Sequence, residues 1–174
     1  ELRDTYESTT TLGVDLGVAA RWELLQAGLT GRNLNAPRFK GFSRTLTGGA
    51  VVTYDDVRLD PELTLGGAFI PWDTVTFAID VDLTRAKTLL PGYRTQHLRL
   101  GAEWNILHTL ALRGGWSRNL AESDSGALIH GGLGLNLYLL RLDLAAALST
   151  QRVTVDGTDI PREARVALGL ATDW

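Results

Sequence analysis

Apolar and polar side chains alternate with a period of two along most of this chain. In the clearest segment, residues 74–84, Val, Phe, Ile and Leu occupy every odd position, and Thr, Ala and Asp occupy every even position. A period of two is that of a β-strand, whose successive side chains point to opposite faces. The segment therefore predicts a strand with one bulky apolar face, whereas an amphipathic helix would repeat every 3.6 residues.

Eight further segments show the same alternation. They cover residues 12–20, 23–32, 61–70, 97–106, 110–117, 129–137, 140–148 and 166–174. A tilted strand of about ten residues is long enough to cross the hydrocarbon core of a bilayer. Repeated alternating segments of this length, separated by turns, are typical of transmembrane β-barrels.

The predicted connections alternate between tight turns and long loops. The tight turns lie near residues 21–23, 71–73, 106–108 and 138–139, and the long loops cover residues 31–60, 86–95, 118–126 and 151–163. In an antiparallel meander all the tight turns fall at one end of the strands, and Trp174 falls there too. Outer-membrane barrels have short periplasmic turns and longer extracellular loops. We therefore assign the tight-turn end to the periplasm.

The two faces of the predicted strands differ in chemistry. One carries bulky Leu, Val, Ile and Phe, and the other carries Gly, Ala, Thr and charges of both signs. A soluble barrel would bury the bulky residues and expose many Lys and Glu, yet the lysines, Lys40 and Lys87, both fall in predicted loops. The pattern favours an all-β, antiparallel, up-and-down transmembrane β-barrel with nine to ten strands in this chain, as a single domain over residues 1–174. Residues 49–54 are the candidate for a tenth strand.

Composition and charge narrow the function. The chain has 174 residues, a net charge of −3, and no cysteine or methionine. Its basic residues are scattered, so nucleic-acid binding is not expected, and without cysteine there is no disulfide, thiolate metal site or thiol nucleophile. Since no stretch of about 18 residues lacks charge, a transmembrane helix is not predicted. We expect an initiator methionine and any signal peptide to lie outside this sequence.

Polar side chains on the inward parity of the strands form the candidate lumen lining. One interpretation is a charged constriction that selects permeating solutes. The other, which the near balance of signs favours, is a lattice of cross-strand ion pairs. The residues are Asp15, Asp80, Asp82, His97, Arg99, Glu103, Arg113, His130, Arg141, Asp143 and Arg165.

Aromatic residues mark the predicted strand ends. Trp22, Trp72 and Tyr138 lie at tight turns, and Trp174 ends the chain. An interfacial girdle has this arrangement, and the alternative is that the aromatics simply cap hairpins. Residues 166–174 alternate and finish on an aromatic, which resembles the C-terminal signal read by the barrel-insertion machinery.

No catalytic, metal or cofactor site is predicted. His97 and His130 have no His or Cys neighbour at metal-ligand spacing. Asp80 and Asp82 lie on one strand face about 7 Å apart, but no nucleophile accompanies them. The glycines of residues 131–134 lie inside an alternating strand rather than in a phosphate-binding loop. The chain is therefore expected not to be an enzyme.

Several short motifs resemble a known family. They are GLTGRNLN at residues 28–35, LDPEL at 59–63, IDVDLT at 79–84 and LGAEW at 100–104. Over residues 10–148 the chain resembles the plasmid-transfer TraF-like outer-membrane proteins, which are similar to the FadL-type long-chain fatty-acid transporters. The resemblance implies a barrel of more than nine strands, with an N-terminal portion that supplies the others, and it is compatible with a segment that plugs the lumen.

The odd strand count bears on partners. Single-chain bacterial barrels usually have an even number of strands, and an exposed strand edge would be unsatisfied in lipid. We therefore expect a missing N-terminal segment, a partner chain or further copies, together with lipid or detergent on the apolar face.

The leading hypothesis is a barrel in a Gram-negative bacterial outer membrane. It would act as a pore, as a transporter of small or apolar solutes, or as a scaffold of a surface assembly. The alternative from another class is a soluble lipocalin-like ligand-binding barrel. A third possibility is a designed or trimmed barrel retained for its pore properties.

Overall fold

Nine long strands make up most of the structure. The computed structural model describes residues 10–45, 48–88, 90 and 92–172. These strands are the ones that the alternation predicts, and the all-β prediction is confirmed. They are β1 (Leu16–Arg21), β2 (Leu25–Arg32), β3 (Glu62–Trp72), β4 (Val75–Asp82), β5 (His97–Ile106), β6 (Leu110–Asn119), β7 (Ala127–Leu137), β8 (Leu140–Ser149) and β9 (Ala164–Thr172).

The nine strands form one antiparallel sheet in chain order. Connections of two or three residues follow β1, β3, β5 and β7, and all of them lie at one end of the sheet, which we call the turn end. The longer connections, residues 33–61, 83–96, 120–126 and 150–163, lie at the opposite end, which we call the loop end. The predicted asymmetry of the connections is confirmed. Within the described residues β1 and β9 each pair on one side only, so the sheet is open.

Short two-stranded ribbons lie in three of the four connections at the loop end. The candidate tenth strand is wrong as a strand of the main sheet, because Val51–Tyr54 pairs with Phe42–Thr45 inside the first long loop. Stacking of Phe42 on Tyr54, with ring centroids 4.7 Å apart, holds this ribbon together. The other ribbons pair Arg38–Phe39 with Val57–Arg58, Ala86–Lys87 with Arg94–Thr95, and Arg152–Val155 with Thr158–Pro161.

Helical structure is confined to a single short turn in the described ranges. Residues Ser123–Ser125 form a 3-10 helix in the connection between β6 and β7. None of the described residues belongs to a helix long and apolar enough to cross a membrane.

The first strand begins later than its alternation predicts. Ladder pairing starts at Leu16 rather than at Leu12. Before that point, Asn35 replaces the ladder: its Oδ1 accepts from the backbone N–H of Val14 at 3.0 Å, and its Nδ2 donates to the carbonyl of Leu12 at 2.7 Å. Side-chain hydrogen bonds of this kind compete with regular ladders, which explains why alternation continues where the strand does not.

Pairing register aligns the bulky side chains on one face of the sheet, the apolar face. Leu29, for example, lies opposite Val18 on one side and Leu65 on the other. Phe69 and Phe77 stack across β3 and β4, with centroids 6.5 Å apart. Such cross-strand pairs stabilise a sheet by roughly 0.2–1 kcal/mol each.

The apolar face has no protein layer covering it among the described residues. No large side chain there is fully buried, and the buried apolar residues are Ala86, Ala111 and Ala147. Leu144 is 48% exposed and Ile79 is 48% exposed, although both lie in the middle of interior strands. A contiguous apolar surface of this extent marks a site for lipid, protein or another apolar medium.

Candidate functional site

The opposite face of the sheet, the polar face, collects the predicted charged residues. The register places Asp80 opposite Arg99 and Glu103 opposite Arg113, and Gly134 opposite Asp143. Ala147, on the same face, lies opposite Arg165. Asp15 precedes β1 with the matching parity and accepts a hydrogen bond from the backbone N–H of Asn33 at 2.8 Å. The predicted residues that share this face within the strands are Asp80, Asp82, His97, Arg99, Glu103, Arg113, His130, Arg141, Asp143 and Arg165.

Towards the turn end, three strands meet at one guanidinium group. Arg113 on β6 donates from Nε to Glu103 on β5 at 2.5 Å, and from Nη1 to Asp143 on β8. Asn105 completes the group by donating to the second oxygen of Glu103 at 2.8 Å. Charge-assisted bonds in which one arginine bridges two carboxylates are stronger and more directional than neutral ones. We call Arg113, Glu103, Asp143 and Asn105 the turn-end cluster.

Arg113 reaches Asp143 by passing over the intervening strand β7. That passage depends on Gly134, because a Cβ there would lie 2.8 Å from Asp143 Oδ1 and 3.1 Å from Arg113 Nη1. The same Cβ would lie 3.3 Å from the Cβ of Ala111. A glycine with no side chain is thus what allows an ion pair to span two strand spacings.

Towards the loop end, Asp82 is the centre of a second group, the loop-end cluster, which it forms with Thr64, His97 and Arg99. Its Oδ2 accepts from the backbone N–H of His97 at 2.8 Å and lies 3.2 Å from the Nδ1 of that residue. Its Oδ1 accepts from Arg99 at 3.2 Å and from the Thr64 hydroxyl at 3.1 Å. Four hydrogen-bonding contacts therefore fix this carboxylate near the loop end of the sheet.

Each cluster borders a polar cavity. The turn-end cavity has a volume of about 220 Å³ and is lined by Glu103, Arg113 and Asp143 together with Arg141. The loop-end cavity is larger, about 520 Å³, and is lined by Asp82, Arg99 and other polar side chains. Both are large enough to hold several water molecules.

Not every charge in the loop-end cavity is paired. Arg32, Glu62 and Asp80 line it and take part in no ion pair within the described part of the chain. Asp80 lies over Gly66, whose added Cβ would be 2.5 Å from Asp80 Oδ1. Unpaired charges are stable only where water solvates them, so this part of the polar face needs an aqueous surrounding.

The histidines take hydrogen-bonding positions rather than a metal-binding arrangement. His97 contacts Asp82, and His130 lies with Nε2 2.8 Å from the Ser117 hydroxyl. Among the described residues, no group of three or more His, Asp or Glu side chains is arranged to hold a metal ion. Ser117 and His130 resemble a nucleophile and its base, but no carboxylate among the described residues hydrogen-bonds to His130 to orient it.

Exposed aromatic residues lie at the turn end of the sheet. Trp22, Trp72 and Tyr138 are 59%, 66% and 95% exposed at three of the tight turns. Trp104, which the sequence reasoning did not single out, is 52% exposed two residues before the end of β5. Each hairpin therefore carries an exposed aromatic residue at or near its turn. Trp174 lies outside the described residues.

Sequence reasoning missed three neutral side chains of the polar face: two belong to the clusters, and the third, Ser117, contacts His130. Thr64, Asn105 and Ser117 have the inward parity of their strands, which was the available signal, but attention to charge passed over them. It also missed Asn119, which is buried and whose Nδ2 donates to the carbonyl of Arg94 at 2.8 Å. Its role is to fasten the loop between β4 and β5 to the end of β6.

One family model matches part of the chain. Residues 1–82 match the family model described as F plasmid transfer operon, TraF, protein. This match includes the motifs at residues 28–35 and 59–63, whereas the one at 100–104 lies beyond it. No curated protein matches the chain.

Two solved structures share the fold. Outer-membrane expressed OmpT of Vibrio cholerae has a TM-score of 0.61 and 14% identity, over 94% of this chain and 56% of that chain. The Ralstonia pickettii toluene transporter TbuX has a TM-score of 0.53 and 14% identity, over 80% of this chain and 42% of that chain. The chain thus spans about half the length of these structures. It is TraF-like over residues 1–82, and its nine-stranded antiparallel sheet has the fold of outer-membrane barrels.

Proposed function

We propose that this chain forms part of the wall of a bacterial outer-membrane barrel that passes small polar solutes. The apolar face contacts lipid, and the polar face lines a water-filled lumen. The observation that carries the proposal is the separation of chemistry across all nine strands: exposed bulky side chains on one face, and charged clusters with polar cavities on the other.

The polar face favours polar solutes over apolar ones. The lining of the two cavities is dominated by carboxylates, guanidinium groups, amides and hydroxyls. A path for apolar solutes would be lined mainly by hydrophobic and aromatic side chains. The similar structure of a toluene transporter supports transport as the general function. The solute that passes depends on the side chains that line the polar face of this chain.

A soluble lipocalin-like barrel is the less favoured function. Such a barrel buries its bulky residues inside and presents charge outside. Here the bulky residues are not buried: Leu144 and Leu148 are 48% and 52% exposed, and no layer of the described residues covers them.

A second candidate function rests on the family match. Residues 1–82 match a model of a plasmid-transfer protein, which favours a scaffold of a surface assembly. In that case the loop-end ribbons, rather than the lumen, would carry the function. A polar-face substitution that stops solute passage but leaves the surface assembly intact would distinguish the two functions.

The test uses neighbouring residues on opposite faces of β8. Leu144→Arg places a charge on the apolar face, and Ala145→Arg places the same charge on the polar face. An arginine facing lipid near the middle of a bilayer costs about 2–4 kcal/mol, so Leu144→Arg lowers the unfolding midpoint in lipid or detergent, whereas Ala145→Arg changes it little.

The same two variants also report on the lumen. In planar bilayers, the Ala145→Arg variant shifts ion selectivity towards anions, because its charge lies beside the permeation path. If the unmodified chain stays monodisperse without detergent, or if both arginines are tolerated equally, the membrane function proposed here is wrong. A detergent-dependent protein that carries no current would indicate a plugged or incomplete barrel.

A further inference from the structure

The loop-end cavity contains charged side chains that the fold leaves free. Two of its charges, on Arg99 and Asp82, pair with each other at 3.2 Å. Arg32, Glu62 and Asp80 also line the cavity, and within the described part of the chain none of them takes part in an ion pair. Apart from the internal pair, the cavity therefore presents two negative charges and one positive charge to a ligand.

A glycine separates Asp80 from the arginine that lies opposite it. In the pairing register Asp80 lies between Gly66 on β3 and Arg99 on β5. Its carboxylate turns towards β3, since its Oδ1 lies 2.5 Å from the position that a Cβ on Gly66 would occupy. Arg99 bonds to Asp82 instead. Because any Cβ at residue 66 would close this position, Gly66 is what allows the Asp80 carboxylate to lie free above β3.

Arg32 and Glu62 lie directly opposite each other at the loop end of β2 and β3. The Cα atoms of opposite residues are about 4.5–5.5 Å apart, yet these two side chains form no salt bridge in the described part of the chain. Their guanidinium and carboxylate groups are thus available, side by side, to a ligand with a carboxylate and an ammonium group close together. A free α-amino acid has both groups on one carbon, whereas in a peptide they lie on different residues.

The spacing along β3 sets the length of the ligand. Glu62 and Gly66 are four residues apart, which is about 13 Å at the rise of a strand, and the Asp80 carboxylate lies over Gly66. In an extended lysine molecule, six bonds of about 1.5 Å place the carboxyl carbon about 7–8 Å from the side-chain nitrogen. A hydrogen bond of about 3 Å at each end brings the span to about 13–14 Å. A basic amino acid is therefore long enough to reach from Glu62 to Asp80.

We propose that the loop-end cavity binds a free basic amino acid. Arg32 binds the α-carboxylate, Glu62 binds the α-ammonium group, and Asp80 binds the side-chain cation. The ligand's two positive charges and one negative charge complement the three free charges of the cavity, whose volume of about 520 Å³ leaves room for water as well. The inference rests on the proposed passage of polar solutes and names the class of solute. Gly66 determines specificity, because it keeps the Asp80 carboxylate away from Arg99.

Three probes that differ in their charged groups test the site. Free lysine has all three groups, norleucine lacks the side-chain cation, and cadaverine lacks the carboxylate. Equilibrium dialysis of the whole chain in detergent, at low salt, measures the binding of each probe. Lysine should bind about tenfold more tightly than either analogue, since each missing group removes a charge-assisted hydrogen bond. Equal binding of lysine and both analogues would overturn the proposal.

Charge substitutions assign each group of the ligand to its residue. Asp80→Asn should remove the preference for lysine over norleucine, and Arg32→Gln should remove the preference for lysine over cadaverine. Glu62→Gln should weaken the binding of all three probes. Asp73→Asn, in the turn between β3 and β4, changes the net charge as Asp80→Asn does and should leave both preferences unchanged. Full preference for lysine in both the Asp80→Asn and the Arg32→Gln variant would contradict the proposal.

A pair of glycine substitutions tests the site without changing any charge. Gly66→Ala places a Cβ 2.5 Å from Asp80 Oδ1 and moves the carboxylate towards Arg99. The preference for lysine over norleucine should therefore fall as it does in Asp80→Asn. Gly28 lies opposite Gly66 on β2, and the nearest neighbour of a Cβ there is 3.5 Å away. Gly28→Ala should bind lysine like the unmodified chain, and equal preferences in the two alanine variants would count against the proposal.

Dialysis does not depend on conductance, so the site and the solute pathway fail separately. Selective binding of lysine by a chain that carries no current supports the site and contradicts the pathway. Current through a chain that binds the three probes equally contradicts the site and leaves the pathway in place.

Discussion

At the scale of single residues, the most consequential position on the polar face is a glycine. Gly134 has no charge, yet the bond from Arg113 to Asp143 exists because nothing projects from β7 between them. The salt bridge is partly exposed, with 43% and 36% of the two side chains accessible, so its own contribution to stability is modest, about 1 kcal/mol or less. The salt bridge instead fixes the positions of these two charges on the polar face of the sheet.

The role of Gly134 predicts opposite effects for two glycines of the same strand. Gly134→Ala places a Cβ 2.8 Å from Asp143 Oδ1 and separates the ion pair, so we expect the free energy of unfolding to fall by about 1 kcal/mol. Gly131→Ala meets nothing within 4 Å on the apolar face, and it should stabilise by roughly 0.5 kcal/mol through the lower entropy of the unfolded chain. Urea unfolding in detergent, followed by tryptophan fluorescence, measures both.

The control for this comparison removes the ion pair first. In an Arg113→Met background, Gly134→Ala should no longer cost more than Gly131→Ala, since the pair it disrupts is already absent. A penalty that persists in that background would mean that contacts of the added Cβ with Asp143 or Ala111, rather than loss of the ion pair, cause it.

At the scale of elements, the tight turns set the register of every hairpin. The turn between β5 and β6 has positive φ at two consecutive residues, Leu107 at 51° and His108 at 57°. Its closing hydrogen bond runs from the N–H of Thr109 to the carbonyl of Ile106 at 3.1 Å. Two residues with positive φ make the primed turn that matches the twist of paired strands, and glycine and asparagine are favoured there.

Relief of this backbone strain predicts a stabilised hairpin. A left-handed conformation costs an L-residue with a Cβ about 1–2 kcal/mol, and a glycine avoids this cost. Part of the stabilisation is lost because glycine has greater conformational freedom in the unfolded chain. His108→Gly should therefore raise the free energy of unfolding by about 0.5–1 kcal/mol. His108→Ala, which keeps the Cβ, should give no such gain. Equal effects of the two substitutions in urea unfolding would mean that loss of the imidazole, rather than φ, is responsible.

The elements were predictable from sequence because their signal is local. A strand with one lipid-type face and one polar face repeats every two residues, and all nine strands follow from that period. The start of β1 was not predictable from it, because Asn35 competes for the backbone of Leu12 and Val14. The ribbon of Val51–Tyr54 was recognisable as a strand, but alternation does not specify which strand it pairs with.

At the scale of the whole molecule, the sequence predicted which residues share the polar face but not how they pair. Parity alone places Arg113 near Glu103 on the adjacent strand. Its reach to Asp143, two strands away in pairing order, depends on the absent side chain of Gly134 on the intervening strand β7, which no local pattern encodes. The split into a turn-end and a loop-end cluster likewise depends on the register, and register is a property of the folded sheet.

The orientation of the whole sheet in the membrane is the remaining prediction, and the two ends of the sheet provide its probes. Short turns face the periplasm and long loops face the outside in outer-membrane barrels. In cells that carry the protein in the outer membrane, a membrane-impermeant maleimide should label Val155→Cys, in the exposed ribbon between β8 and β9, without permeabilisation. Asp73→Cys, in the turn between β3 and β4, should label only after the cells are opened. The chain has no other thiol, so the unmodified protein is the blank. The reverse labelling pattern would invert the orientation, and labelling of both sites in intact cells would contradict a wall that separates two compartments.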